Sequence, residues 1–171
     1  MNDIAQQPQH PPFRILFLCT GNSARSILAE YLMRKMGKGK FKTFSAGSHP
    51  SGKVNTHALR VLEEMYQIDA SDARSKSWNE FLVGGPDFDF VITVCDSARE
   101  TCPVFPGHPI TAHWGTPDPA VFQGNDRETF EVFAKAAMQI HRRLDLFCSL
   151  PFEKLDALRM MQMTREIGQS D

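Results

Sequence analysis

The sequence predicts an α/β domain in which a parallel β-sheet is covered by helices on both faces. Short, nearly continuous apolar segments alternate along the chain with segments whose apolar residues recur every three or four positions, which is the order of strands and helices in such a sheet. The length of 171 residues, with 42% hydrophobic and 23% charged residues, suits one main globular domain. Because ligands of parallel sheets bind beyond the carboxyl ends of the strands, we expect the functional residues there.

The first half of the chain contains two predicted strand–helix units. Residues 1–12 hold three prolines and no periodic pattern, which indicates a flexible leader. Residues 13–18 form a nearly continuous apolar run, typical of a strand buried on both faces, and the helix that follows it ends at Gly37. Residues 41–46 form the second predicted strand, and an amphipathic helix over about 54–65 comes next.

The second half continues this alternation with more loop. One turn of helix is predicted near 78–82, and the β-branched segment 88–94 is predicted to form a strand. Five prolines keep 102–119 mostly in loop conformation around a short strand at 110–114. The apolar stripe that follows predicts a long helix from about 127 to 147.

These elements divide the chain into three parts. The flexible leader is followed by one domain over residues 13–147, which contains every predicted strand. The C-terminal extension, residues 148–171, is predicted to form one amphipathic helix over 151–167. Its polar face is not notably basic, so we expect it to pack on the domain or on a second chain rather than on a membrane.

Composition excludes several classes of protein. The 19 Lys and Arg residues against 20 Asp and Glu residues give a net charge of −1, so we expect no nucleic-acid or membrane partner held by overall charge. The chain starts without the basic and apolar regions of a secretory signal, which predicts a cytoplasmic protein. Its four cysteines are then expected to be thiols of the core, of a metal site or of catalysis.

The segment after the first predicted strand has the features of an oxyanion-binding loop with a nucleophile. It reads Cys19-Thr20-Gly21-Asn22-Ser23-Ala24-Arg25-Ser26. Gly21 and Asn22 tolerate positive φ, so successive N–H groups can point inward, and Arg25 supplies a forked cationic clamp at a helix start. We expect this field to lower the pKa of Cys19 and make it a nucleophile. The alternatives are a buried cysteine beside a turn and a nucleotide-binding loop, but residues 37–40 do not match the latter.

Cys95 and Cys102 form a second candidate thiol pair. Seven residues separate their Cα atoms by about 10.5 Å along a helix and by more than about 20 Å along a strand. A disulfide needs about 4.4–6.8 Å, so the two thiols can bond only if the intervening segment buckles. This predicts a redox switch. Two alternatives remain open: unrelated buried thiols, or a zinc site completed by His108 and His113.

Asp118 is the candidate general acid. It lies between Pro117 and Pro119, which restrict the backbone and fix the direction of its carboxylate. Taken alone, an Asp-Pro pair is usually part of a turn. A desolvated crevice beside a bound oxyanion would keep the carboxyl group protonated near neutrality, and the pairing with the Cys19 loop therefore favours an acid.

The segment from Cys19 to Ser26 resembles the signature loop of the low-molecular-weight protein tyrosine phosphatase superfamily, and Asp118-Pro119 resembles its general-acid motif. Within that superfamily the chain is more similar to the thioredoxin-coupled arsenate reductases, over about residues 13–147. The similar segments include SAGSHPSGKVN, VITVC with a second cysteine seven residues on, and HWGTPDPA. The resemblance implies a flavodoxin-like three-layer sandwich: a small four-stranded parallel sheet with helices on both faces.

The resemblance also implies a reaction cycle for arsenical resistance. Cys19 attacks arsenate while Asp118 protonates the departing oxygen, and Cys95 then attacks Cys19, releasing arsenite and leaving a Cys19–Cys95 disulfide. Cys102 converts it to Cys95–Cys102, which thioredoxin reduces as an external reductant. The implied substrate-binding residues are Thr20, Gly21, Asn22, Ser23, Ala24, Arg25 and Ser26. Phosphate and sulfate are expected to compete with arsenate, and no bound cofactor is implied.

Other functions and reductants stay open at this point. A low-molecular-weight protein tyrosine phosphatase would use Cys19, Arg25 and Asp118, but that family usually has aromatic residues after the Asp-Pro pair, where this chain has Ala120 and Val121. It also has no use for the second thiol pair. An oxyanion-binding or redox-sensing protein without turnover is the third hypothesis. The reductant could be glutaredoxin or a small thiol instead of thioredoxin.

A potassium ion lies near the loop in some members of the family, held by Asn, Glu, Ser and acidic side chains. Asn22, Glu30 and Ser45 match that pattern, but residues 74–76 are basic where an acidic ligand would be expected. We therefore expect no metal, and we expect Lys76 to supply the positive charge instead.

Overall fold

Four parallel strands form one sheet in the order β2-β1-β3-β4. The computed structural model describes residues 10–170, so most of the predicted leader lies outside the described residues. The strands are β1 (Phe13–Cys19), β2 (Phe41–Gly47), β3 (Phe90–Thr93) and β4 (Ile110–His113). The helices are α1 (Arg25–Met36), α2 (Thr56–Tyr66), α3 (Asn79–Leu82), α4 (Asp96–Thr101), α5 (Asp126–Cys148) and α6 (Ala157–Ile167).

The sheet is covered on both faces, as predicted for a parallel sheet. Successive side chains of a strand point to opposite faces, and the four residues from Ile15 to Leu18 of β1 are all 0% exposed. The registers place Cys19 opposite Gly47 of β2, and Leu18 opposite Thr93 of β3. The carboxyl ends of the three strands therefore meet at one edge of the sheet, which is where the functional residues were expected.

Aromatic side chains join the sheet to α5 and to the C-terminal extension. The ring of Phe147, near the end of α5, makes edge contacts with Phe90, Trp114 and Phe152, at centroid distances of 5.0, 5.7 and 5.2 Å. Such contacts add to the hydrophobic free energy of burial. Because Phe152 lies in the extension, that segment packs on the same core as the rest of the chain.

The extension is helical over a shorter range than predicted. The sequence pattern predicted one helix over 151–167, whereas residues Phe152–Lys154 form a 3-10 turn and α6 begins only at Ala157. The physical reason is local: Asp156 caps α6, accepting a hydrogen bond from Arg159 N at 2.8 Å. Within residues 10–170, no helix is long and apolar enough to cross a membrane.

Helix α6 lies against the edge strand β4. The indole N–H of Trp114 donates to the carbonyl of Thr164 at 3.0 Å. Arg165 Nε donates to the carbonyl of Thr111 at 3.0 Å, so a side chain of α6 satisfies a backbone group of the edge strand. Arg143 of α5 binds the carbonyls of Gly115 and Gly168, which fixes the end of the chain beside the strand.

Candidate active site

The Cys19 loop, residues 19–26, leads from the carboxyl end of β1 into α1. Its carbonyl groups are bound from outside by the segment that follows β2 and by one serine hydroxyl. The bonds are His49 N to Thr20 O at 2.9 Å, Ser51 N to Gly21 O at 3.0 Å, Asn55 N to Ser23 O at 2.9 Å and Ser75 Oγ to Gly21 O at 2.9 Å. With the carbonyls held outward, amide N–H groups are available on the inner side, which is the arrangement of an anion-binding loop.

Asn22 fixes the bend of this loop. Its φ is 44°, in the left-handed region as predicted, whereas Gly21 does not adopt that conformation. The buried Asn22 side chain donates to Ser26 Oγ at 2.8 Å and to Ser45 Oγ at 3.0 Å, and its oxygen accepts from Lys76 N at 3.0 Å. These three hydrogen bonds offset the cost of the left-handed backbone.

Gly47, at the end of β2, makes room for the loop. A Cβ atom at this position would lie 2.4 Å from the carbonyl oxygen of Thr20 and 3.0 Å from the amide nitrogen of Asn22. Any larger residue would therefore displace the loop. The sequence pattern indicated only that Gly47 ends a strand, because the approach of the loop comes from a segment 27 residues earlier in the chain.

The thiol of Cys19 is buried at the centre of the loop. Its Sγ lies 2.8 Å from the hydroxyl of Ser26 and accepts a hydrogen bond from Asn22 N at 3.2 Å. Burial raises the pKa of Cys19, and the hydrogen bonds from Ser26 and Asn22 only partly lower it. The expectation of a lowered pKa is therefore wrong for this conformation. The physical reason is that desolvation of a buried thiolate outweighs the donors beside it.

Arg25 and Asp118 are brought together from opposite sides of the crevice. The guanidinium of Arg25 lies 3.5 Å from Asp118 Oδ2 and donates to the carbonyl of Thr116 at 3.0 Å. Asp118 Oδ1 accepts from Ala120 N at 3.0 Å, so the carboxylate also caps the short 3-10 turn Pro119–Val121. The predicted clamp and the predicted acid thus share one site at the helix start.

Cys95 lies beside the loop. Strand β3 ends at Thr93, one residue before the predicted end at 94, and Cys95 is the residue that precedes α4. The strand neighbours β1, so Cys95 faces the crevice that holds Cys19. Its Sγ lies 3.4 Å from the hydroxyl of Thr20, and the thiol is buried.

Cys102 lies at the far end of α4 from Cys95. The six-residue helix Asp96–Thr101 separates the two thiols, and all four cysteines of the chain are free thiols. Cys102 is half-buried, donates to the carbonyl of Pro103 at 3.5 Å, and has a pKa that is raised by burial. Seven helical steps place the two Cα atoms about 10.5 Å apart, so bonding them requires α4 to unwind.

The first turn of α4 is tied to the edge strand by a contact that the sequence analysis missed. Asp96 Oδ1 lies 2.8 Å from His113 Nε2, and the other ring nitrogen of His113 lies 2.8 Å from Thr93 Oγ1. The histidine is thereby held at both nitrogens. Asp96 and His113 are 17 positions apart in the chain, so no local sequence pattern predicts their contact.

The cysteines and histidines of this region do not form a zinc site. His113 is engaged by Asp96 and Thr93, as described above. Among residues 10–170, no group of three or more His, Cys, Asp or Glu side chains is placed to hold a metal ion. The geometry therefore does not support the zinc alternative.

Lys76 places a positive charge beneath the loop. Its buried Nζ lies 3.5 Å from Ser45 Oγ and donates to the carbonyl of Arg74 at 3.1 Å. The same Ser45 hydroxyl donates to the buried carboxyl group of Glu30 at 3.3 Å. Burial lowers the pKa of Lys76 and raises the pKa of Glu30, while the attraction between the two charges opposes both shifts. This arrangement supports Lys76 as the cation beside Asn22 and Glu30.

Replacing Lys76 by methionine is expected to lower the free energy of unfolding by about 3 kcal/mol near pH 8, because the buried Glu30 then keeps only the half-exposed Arg34, 3.9 Å away, as a cation. Burial raises the pKa of Glu30, so the carboxyl group takes up a proton on acidification and the loss is smaller at pH 5. Urea unfolding at both pH values checks this, with Lys53→Met, an exposed lysine, as the control. An equal loss at the two pH values would contradict it.

Comparison with known proteins relates the chain to a phosphatase family and to arsenate reductases. The low molecular weight phosphotyrosine protein phosphatase family matches residues 14–159. An arsenate reductase of Halalkalibacterium halodurans is 36% identical over 133 residues, which are 78% of this chain and 93% of the relative.

Two solved structures share the fold over most of their length. An arsenate reductase in the phosphate binding state is 27% identical with a TM-score of 0.63, covering 80% of this chain and 97% of that chain. A low molecular weight protein tyrosine phosphatase from T. tengcongensis is 28% identical with a TM-score of 0.62, covering 78% and 95%.

Proposed function

The chain belongs to the low molecular weight phosphotyrosine protein phosphatase family, and from this premise we propose that it is an arsenate reductase, which reduces arsenate to arsenite with its own thiols. The observation that carries the proposal is the position of Cys95. Its sulfur lies 3.4 Å from Thr20 Oγ1 of the Cys19 loop, and α4 leads from it to the half-exposed thiol of Cys102. A phosphate hydrolase needs only the loop, whereas a reductase needs further thiols that carry electrons away from it.

The first step is binding and attack. The inward N–H groups of the Cys19 loop and the guanidinium of Arg25 bind the arsenate oxyanion, and phosphate or sulfate competes for the same donors. The Cys19 thiolate then attacks arsenic, with Ser26 Oγ 2.8 Å away as a donor to the charged sulfur. Asp118, paired with Arg25 in the free protein, transfers a proton to the departing oxygen, which leaves as water.

The second step transfers two electrons to arsenic. The Cys95 thiolate attacks the Cys19 sulfur, the sulfur–arsenic bond breaks, and its electron pair stays on arsenic, which leaves as arsenite. A Cys19–Cys95 disulfide remains. The Cys102 thiolate then attacks Cys95 and frees Cys19, which gives a Cys95–Cys102 disulfide. Thioredoxin, as external reductant, returns this disulfide to two thiols with two electrons and two protons.

The phosphatase alternative shares the loop, the clamp and the acid. Family membership favours it as much as it favours the reductase. The two residues directly after Asp118-Pro119 do not support it, because Ala120 and the exposed Val121 offer no aromatic ring to hold a phosphotyrosine, and the first aromatic residue is Phe122. The placement of Cys95 next to Thr20 has no part in ester hydrolysis and favours the reductase.

We place this activity in arsenical detoxification in the cytoplasm, where thiols stay reduced and a thioredoxin system is present. The proposed cycle supports that location, because Cys19, Cys95 and Cys102 must each begin it as reduced thiols. No bound cofactor takes part in the proposed cycle.

The proposal is tested by supplying arsenate together with thioredoxin, thioredoxin reductase and NADPH, and following NADPH consumption. We expect arsenate-dependent consumption over many turnovers, and little when glutaredoxin and glutathione replace the thioredoxin system. Parallel assay with p-nitrophenyl phosphate measures any phosphatase activity. Hydrolysis of that ester without arsenate-dependent NADPH consumption would establish the phosphatase alternative instead.

Replacing Asp118 by asparagine is expected to slow the first chemical step by about 10²–10⁴-fold, because the amide cannot supply the proton. The asparagine oxygen can still accept from Ala120 N, so the 3-10 turn and the position of the loop are retained. Calorimetry of phosphate binding, beside single-turnover kinetics with arsenate, separates binding from proton transfer. An unchanged first step would make Asp118 a turn residue only.

A further inference from the structure

A groove of about 720 Å³ opens beside Cys102. One side is formed by α4 and the loop after it, the floor by the edge strand β4, and the other side by the end of α6. We call it the Cys102 groove. Its polar lining residues include Arg99, Cys102, His108, His113, Arg165 and Gln169.

The Cys102 groove has positive charge on both sides. Arg99 and Arg165 lie on opposite sides of it, both exposed, and none of its described lining residues is acidic. Asp96, at the start of α4, forms a hydrogen bond with His113. The guanidinium of Arg99 makes no hydrogen bond or ion pair within the described residues, so it is available to a partner. This charge complements an acidic surface.

The α6 side of the groove stays in place during the cycle. Forming the Cys95–Cys102 disulfide requires α4 to unwind, whereas Arg165 belongs to α6 and is bonded to Thr111 of β4. Neither element is part of the segment that must move. Arg165 also lies beyond residue 159, where the family match ends, so this side of the groove is an addition of this chain to the matched fold.

We propose that Arg165, on the α6 side of the Cys102 groove, recognises acidic side chains beside the attacking thiol of the protein dithiol that reduces the Cys95–Cys102 disulfide. The inference rests on the proposed function. The exposure of the groove favours a protein over a small thiol: Val104 is 89% exposed two residues after Cys102, and both arginines reach the surface. Small-molecule sites bury most of their ligand, whereas protein interfaces combine apolar contacts with a charged rim.

The exchange at this surface balances as two thiol–disulfide steps. A thiolate of the docked protein attacks the sulfur of Cys102, the more accessible sulfur of the pair, and Cys95 leaves as a thiolate. The second thiol of the docked protein then attacks the mixed disulfide and frees Cys102. Two electrons pass to the enzyme, which regains two thiols, and the partner is left as a disulfide.

The test compares how efficiently two reductants support arsenate reduction. The value of kcat/KM in arsenate reduction is measured with thioredoxin and with dithiothreitol, a small neutral dithiol that needs no docking surface. We expect Arg165→Glu to lower the thioredoxin-to-dithiothreitol ratio about tenfold. Arg159→Glu makes the same charge change on α6 outside the groove and is expected to keep the ratio within about twofold. Rising salt should lower the wild-type ratio and leave that of Arg165→Glu nearly flat.

Three outcomes would overturn the inference. If the thioredoxin-to-dithiothreitol ratio of Arg165→Glu equals that of Arg159→Glu, α6 takes no part in docking. The same conclusion follows if the wild-type ratio does not change with salt. Turnover with dithiothreitol but none with thioredoxin would show that no protein dithiol docks there. If Arg165→Glu destabilises α6, as a lower Tm would show, the same ratio is measured for Arg99→Glu. The Arg99 side chain has no described partner, so its replacement breaks no contact. Failure of the wild type with both reductants would instead refute the proposed function.

Discussion

Replacing Cys19 by serine is expected to bring arsenate reduction down to background. A serine hydroxyl stays protonated where a thiol ionises, and the buried position beside Ser26 makes the charged form still harder to reach. No other thiol lies in the loop, because residues 20–26 contain no cysteine. Arsenite release and NADPH consumption in the thioredoxin assay measure the effect.

Binding and the other cysteines serve as controls for this variant. Cys19→Ser should still bind phosphate in calorimetry, since the N–H groups of the loop and Arg25 are unchanged. Cys148→Ser removes a thiol at the end of α5 that contacts Met33, and it is expected to keep the wild-type rate. Substantial arsenate turnover by Cys19→Ser would refute the assignment of the nucleophile.

Replacing Cys102 by serine is expected to limit the enzyme to one turnover. The variant should release about one equivalent of arsenite and then remain as a Cys19–Cys95 disulfide, because no third thiol attacks Cys95. Cys95→Ser should stop one stage earlier, without an intramolecular disulfide on the productive route. Wild-type enzyme given arsenate and no reductant should accumulate Cys95–Cys102 and lose helix over Asp96–Thr101.

Alkylation of the remaining thiols, followed by peptide mass mapping, identifies the bonded pair in each of these proteins. Many turnovers by Cys102→Ser with thioredoxin would contradict the relay of three thiols. A route with two thiols, completed by glutaredoxin or a small thiol, would then be preferred. A wild-type protein that accumulates no disulfide at all would point to the phosphatase alternative.

The sheet and its order of elements were predictable from the sequence because local apolar patterns determine them. Residues 13–18 carry no polar residue after Arg14, and residues 15–18 are buried on both faces, so the run could be recognised as a central strand. The positive φ of Asn22 was predictable for a similar reason, since the residue type itself tolerates that conformation. The spacing of Cys95 and Cys102 did not decide between helix and strand for the segment between them, and only the structure shows that it forms α4.

What sequence reasoning missed depends on contacts between distant segments. The outward bonding of the Cys19 loop by residues 49–55 and the clearance that Gly47 provides become visible only when β1 and β2 pair. The pKa of Cys19 was predicted in the wrong direction, because local donors were counted while the burial produced by the whole core was not. The predicted helix over 151–167 began too early, because Phe152 packs into the core and Asp156 caps the helix.

The hydrogen bond between Asp96 and His113 affects the redox potential of the Cys95–Cys102 pair. In the reduced protein, α4 is formed and its first residue is held by a hydrogen bond of 2.8 Å; the acidic side chain also suits the start of a helix. Oxidation gives up these interactions when α4 unwinds, so they stabilise the dithiol form selectively. Stabilising the reduced form raises the potential of a disulfide. We therefore expect Cys95–Cys102 to be more oxidising with this hydrogen bond than without it, which favours electron flow from thioredoxin to the enzyme.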